Sequence, residues 1–191
     1  MIRSNHCMVI FAAAVVGLAS ASCATQSDAF RHMTAEDHER AANAPDPPGD
    51  PTPGDHLAIA RELREREQSA CADVPEAERD RGPLARRDRI AAIEPLSERA
   101  YPKEMPQPAG VAVYLRAAPG VTEQWLGRVL ECHLAHHAVV GDRLPDPVSP
   151  LFVDDARVAL SSTGDGFRIA ITARDVTTAR AIIERARALV E

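Results

Sequence analysis

The stretch GVAVYLRAAPGVTEQWLGRVLECHLAHHAVVG, residues 110–141, decides the fold because it changes from a strand pattern to a helix pattern at one turn. Up to Arg116, apolar side chains alternate with small or polar ones, which predicts a strand with one buried face. Pro119 and Gly120 then turn the chain. Beyond them, apolar residues recur on one side of a helix that ends at Gly141. These residues are Val121, Trp125, Leu126, Val129, Leu130, Val139 and Val140.

The C-terminal residues continue with a hairpin and a second helix. Alternating apolar residues over 156–160 and 167–171 flank Thr163-Gly164-Asp165-Gly166, which predicts two strands joined by a tight turn. Asp175 is placed to cap a last amphipathic helix. The order from Gly110 is therefore β-α-β-β-α. We predict a small two-layer α+β domain in which two helices cover one face of a three- or four-stranded, mainly antiparallel sheet.

Further helices are predicted to precede this core. One begins at Asp55, as its cap, and ends near Ala70. Its apolar stripe consists of Leu57, Ala60, Leu63 and Cys71. A shorter helix follows over Pro75–Arg81. Residues 89–96 fit a helix or a strand, and their proline and β-branched residues favour the strand.

Length, charge and composition limit the functions that are open to this chain. Its 191 residues are too few for two domains with a sizeable core each, so residues 55–191 are predicted to form a single domain. The formal net charge of −6 argues against binding to nucleic acid or to an anionic membrane face. Aromatic residues make up only 4% of the chain, which leaves little material for base-stacking or sugar-binding platforms.

The first 22 residues have the features of a signal peptide. Arg3 is the only charged side chain there, and the apolar run from Val9 to Leu18 fades into small residues. A membrane-spanning helix needs roughly 20 consecutive apolar residues, more than this run supplies. We therefore predict that residues 1–22 direct export.

The sequence Ser20-Ala21-Ser22-Cys23 resembles the lipobox of bacterial lipoprotein precursors. The resemblance implies that Cys23 is diacylated on its sulfur, becomes the mature N-terminus and anchors the chain facing the periplasm. It also implies an outer-membrane location, because Ala24 rather than Asp follows the cysteine. Ser20 stands where the family usually has Leu, and Ala19-Ser20-Ala21 would also suit ordinary signal peptidase, which would release a soluble product.

Residues 23–54 are predicted to be a proline-rich tether between the anchor and the domain. Thr34 and Asp37 have the spacing of a capping box and indicate one short helix up to Ala42. Five prolines in residues 45–53 then favour an extended, semi-rigid spacer.

Two of the four cysteines are left to form a disulfide. Cys7 is removed with the signal peptide, and Cys23 is the predicted acylation site. Cys71 and Cys132 remain, an even pair in an exported chain, and both lie near the apolar stripe of a predicted helix. We predict that they are bonded; the alternative is two separate buried thiols.

The segment Cys132-His133-Leu134-Ala135-His136-His137 is the candidate metal site. Cys132 with His136, and His133 with His137, are i,i+4 pairs on a helix, a spacing that suits zinc or copper. The alternative is that these side chains are core and edge residues of an amphipathic helix. A disulfide would also remove the Cys132 thiolate, so the structural interpretation is favoured.

Enzyme signatures are mostly absent. No nucleophile elbow, phosphate-binding loop or zinc-protease motif occurs, and the acidic loop residues Asp142, Asp154 and Asp155 are typical of turns. We therefore predict an exported cell-envelope protein with a non-catalytic binding or structural role and no cofactor. Its expected partners are the membrane, through the lipid, and an envelope protein or ligand. An envelope zinc- or copper-binding protein is the first alternative, and a small hydrolase is the second.

Overall fold

The computed structural model describes residue 30 and residues 32–45, 51–99, 105–144 and 148–190. Internal contacts divide the chain into two units, residues 1–32 and residues 33–191. Nearly all described residues belong to the second unit. The predicted signal peptide and Cys23 lie outside the described residues.

In residues 32–99 of the described chain, three α-helices precede the sheet, α1 (Ala35–Ala42), α2 (Pro53–Ala70) and α3 (Glu76–Arg79). The two longer ones begin with the same capping box, in which Thr34 pairs with Asp37 and Thr52 pairs with Asp55. In each box the threonine hydroxyl accepts from the N3 amide, and the aspartate accepts from the threonine amide. The predicted cap at Asp55 is therefore wrong by three residues.

The remaining elements are β1 (Ile90–Glu98), β2 (Gln107–Arg116), α4 (Glu123–Val140), β3 (Arg157–Thr163), β4 (Gly166–Thr172) and α5 (Val176–Arg187). The strand order is β1-β2-β4-β3, and all neighbouring strands are antiparallel. The predicted α+β class is confirmed, with a four-stranded sheet in the described residues. The ambiguous segment at residues 89–96 contributes to the strand β1.

One face of the sheet forms the core with α4 and α5. The register places Val113 of β2 between Ile93 of β1 and Ile169 of β4, and every second residue of β2 from Val111 to Leu115 packs in this core. The fully buried core includes side chains from four elements. They are Val111, Val113, Leu126, Leu130, Ile169, Ile171 and Ile182.

Both outer strands of the sheet carry a feature that interrupts their free edge. Pro95 lies within β1 and has no amide hydrogen to donate. On β3, the Ser162 amide donates to the Glu123 carboxylate of α4 at 2.9 Å, and the Ser162 hydroxyl donates to the same oxygen. Each edge therefore presents fewer free donors than a regular strand would.

Two predicted inward positions are exposed. Leu57 has 47% of its surface exposed, because α2 packs through His56 and Ala60 instead. Val190 is 63% exposed, because α5 ends at Arg187. The predicted helix over residues 75–81 is shorter in the structure and covers Glu76–Arg79.

Candidate functional site

Cys71 and Cys132 lie in disulfide-bonding geometry between α2 and α4. Cys71 is the C-cap residue that follows α2, Cys132 is in the middle of α4, and their Cα atoms are 4.7 Å apart. Both side chains are buried, and Val74, Val129 and the partly buried Trp125 pack around them. Because the bond closes a separation of 61 residues, it would strongly restrict the unfolded chain.

Replacing both cysteines in Cys71→Ala/Cys132→Ala should lower the free energy of unfolding by about 2–4 kcal/mol, since the unfolded chain gains conformational freedom. Chemical denaturation with and without a reductant measures this. The reductant should destabilise the wild type and leave the double variant unchanged. Equal stability of the oxidised wild type and the double variant would contradict a stabilising bond.

The three histidines of α4 point to three different neighbours. The His136 ring lies between two carboxylates, with Nδ1 bonded to Glu67 of α2 and Nε2 3.4 Å from Asp80. His133 is 3% exposed, and its Nδ1 lies 3.1 Å from the backbone carbonyl of Arg79. His137 stacks on Phe152, with ring centroids 3.7 Å apart.

The predicted metal-ligand set is therefore not assembled. Cys132 is directed to Cys71, and His133, His136 and His137 make the separate contacts described above. Within the part of the chain that the structure describes, no three His, Cys, Asp or Glu side chains are placed to hold one ion. The i,i+4 spacing brings side chains onto one helix face, but the groups that pack on that face come from several separate segments of the chain.

Gly82 allows the His133 ring to pack against the turn that follows α3. Its φ is +55°, a conformation that L side chains rarely adopt, and a Cβ added there would overlap the imidazole ring. The contact fixes the loop between α3 and β1 against α4.

Gly82→Ala should lower the free energy of unfolding by about 1–3 kcal/mol, from backbone strain and from the displaced His133 ring. Gly164→Ala is the matched control, since nothing lies within 4 Å of a Cβ at Gly164 and its φ is not in the strained range. Urea denaturation of both variants gives the comparison. Similar losses in the two variants would rule out a specific role for the Gly82–His133 contact.

A buried histidine pair joins α1 to α2. The Nδ1 atoms of His38 and His56 are 2.9 Å apart, and the two side chains are 1% and 6% exposed. Both follow a capping box directly, because Thr34-Ala35-Glu36-Asp37-His38 and Thr52-Pro53-Gly54-Asp55-His56 share the pattern Thr-x-x-Asp-His. This repeat is the sequence signal that identifies the pair, and it was not among the features used above to predict a site.

Charged side chains also hold α1 in place. The Arg64 guanidinium donates two hydrogen bonds to the Glu39 carboxylate, at 2.8 and 2.9 Å. Arg143, just after α4, pairs with Glu36, and Ala35 is fully buried. The interpretation of residues 23–54 as tether therefore needs correction, because residues 35–42 belong to the folded unit.

The sheet face opposite the helices carries a pocket of about 660 Å³. It lies where the hairpin turn of β3 and β4 meets the end of β2. Its lining combines alanines with one aromatic ring and two carboxylates. The polar and aromatic members are Glu94, Tyr114, Arg116, Thr163 and Asp165. The Arg116 side chain also donates to the carbonyls of Asp88 and Ile90, at 2.9 and 3.4 Å, which fixes one wall.

The acidic residues considered for catalysis do not form a site in the described residues. Asp154 and Asp155 are exposed in the turn before β3, and Asp155 has a φ of +59°. The side chain of Asp142 lies outside what the structure describes.

Comparison with protein-family models, with curated proteins and with solved structures finds no match to this chain. Among the described helices, none has the length and apolar character needed to cross a membrane.

Proposed function

We propose that this chain is an exported, lipid-anchored protein of the cell envelope that acts by binding or structural interaction and performs no catalysis. The observation that carries this proposal is the buried Cys71–Cys132 pair in bonding geometry. Disulfides persist in oxidising compartments such as the periplasm and are rare in the cytosol.

The N-terminal sequence supports the same compartment independently. An apolar segment followed by Ser20-Ala21-Ser22-Cys23 fits export and acylation of Cys23. Two or three acyl chains hold a protein on a bilayer at about 0.8 kcal/mol per buried CH₂, without a spanning helix.

The pocket on the open sheet face is the proposed binding site. It combines an apolar floor at Ala92 with a Tyr114 ring and with the carboxylates of Glu94 and Asp165. Ligand sites commonly pair apolar walls with a few polar groups that fix orientation. Most of its lining comes from strands, which form a rigid support for a site.

The intact mass of the membrane-extracted protein should correspond to residues 23–191 plus acyl groups, less two hydrogens for the disulfide. Cys23→Ser should abolish acylation and the normal cleavage. Cys7→Ser is the matched control and should leave the mature mass unchanged, because Cys7 is removed with the signal peptide. A full-length product that retains Met1 and two free thiols at Cys71 and Cys132 would refute export.

Photo-crosslinking in cells tests the binding site. A photoreactive amino acid at Thr163 or Ala92, which line the pocket, should give a discrete adduct after irradiation. The same group at Arg180, exposed on α5 behind the opposite sheet face, should give none. Adducts at Arg180 but not at the pocket positions would place the binding surface elsewhere.

A further inference from the structure

We propose that the His38–His56 pair makes the docking of α1 on α2 sensitive to protons, so that acidification releases α1 from the folded unit. The pair is the central polar contact between the two helices. Its geometry, its burial and the charges around it carry the proposal.

The geometry requires an unprotonated nitrogen. With Nδ1 atoms 2.9 Å apart, one ring must donate and the other must accept. A neutral pair or a singly protonated pair satisfies this requirement. When both rings are protonated, both nitrogens donate, the hydrogen bond is lost, and two positive charges face each other in a site nearly closed to water.

The surroundings disfavour protonation of the docked pair. Burial, and to a smaller extent the charge of His56, lower the pKa of His38 below its ordinary value, and Asp37 only partly opposes this. Both rings also lie in the first turn of a helix, where the helix dipole disfavours positive charge.

The other contacts of α1 keep their charge as the pair titrates. The hydrogen bond from Thr34 lowers the pKa of Asp37, the bond from Arg64 lowers that of Glu39, and the bond from Thr52 lowers that of Asp55. These carboxylates therefore remain ionised between pH 5 and pH 7.

Among the described residues, further charged or titratable groups lie on α1, on α2 and at the end of α4. Glu36 of α1 is paired with Arg143 after α4, and on α2 Arg64 keeps its charge at every relevant pH. His137, near the end of α4, stacks on Phe152.

The direction of the pH effect follows from the lowered pKa of His38. The released histidine has an ordinary pKa near 6.5 and binds protons more tightly than the docked one. The contribution of the unprotonated pair to docking is therefore fully present above about pH 7. It weakens as the pH falls below the pKa of the free side chain. The docking equilibrium changes by up to about tenfold per pH unit for each proton taken up.

The consequence for the cell rests on the proposed lipid anchor at Cys23. With α1 docked, the ten Cα–Cα steps from Cys23 to Met33 span at most about 35 Å at full extension. If α1 is released and extended, the free chain reaches Thr52 and spans at most about 100 Å. Release of α1 would thus change how far the domain extends from the membrane.

Hydrogen–deuterium exchange of the mature, detergent-extracted protein tests the proposal at pH 7.5, 6.5 and 5.5, after correction for intrinsic exchange rates. Protection of residues 35–42 relative to residues 166–172 of β4 should fall by up to about tenfold between pH 7.5 and pH 5.5, the change that uptake of one proton by a free histidine allows. A constant ratio would overturn the proposal.

Two variants separate the histidine pair from the other contacts. His38→Asn/His56→Asn keeps a donor and an acceptor but cannot titrate, so its ratio should not depend on pH. Arg64→Gln removes the pair with Glu39, so it should lower protection at every pH and retain the pH dependence. If α1 is undocked at every pH in the double Asn variant, the Arg64→Gln variant becomes the test. Loss of the pH dependence of protection in Arg64→Gln would then overturn the proposal. A pH response in a chain whose mass shows no acylation would refute the anchor and leave the switch intact.

Discussion

The contact between α2 and α4 attaches the N-terminal third of the folded unit to the sheet. Cys71 and Cys132 close this contact at one point, and one helical turn away Glu67 binds His136. Because both links join the same two helices, they fix the direction of α2 as well as its position. The position of the α2 surface on which α1 packs depends on that direction. The pocket on the sheet face lies away from this contact.

The clusters of buried apolar side chains become smaller with distance from the sheet. The sheet and its two helices share one large cluster, whereas the cluster at the disulfide contains two cysteines and two valines. Where α1 meets α2 and α4, the buried apolar residues in the described part of the chain are Ala35, Ala60 and Val139, with Leu63 and Val140 partly buried beside them. Docking of α1 must therefore depend on its polar contacts, which explains why a pair of imidazoles can control it.

The core could be predicted from the sequence because each strand and helix carries its own apolar period. Alternation around Val113 and helical spacing after Val121 determine which faces pack together. The metal-site alternative required His133, His136 and His137 to converge, and within the described residues they do not. Spacing on a helix specifies which side chains share a face, but the neighbours that approach that face come from distant sequence. The docking of α1 was missed because a short polar helix beside prolines resembles a linker, and only the repeated Thr-x-x-Asp-His pattern distinguishes it.

Pro95 on one outer strand and the Glu123–Ser162 contact on the other have a consequence for how copies of this domain meet at high concentration. An outer strand with free backbone donors and acceptors can pair with an outer strand of another copy, and repeated pairing would form a continuous sheet. The missing amide hydrogen at Pro95 and the Glu123 carboxylate bound to Ser162 make such polymerisation unfavourable, so copies of the domain stay separate.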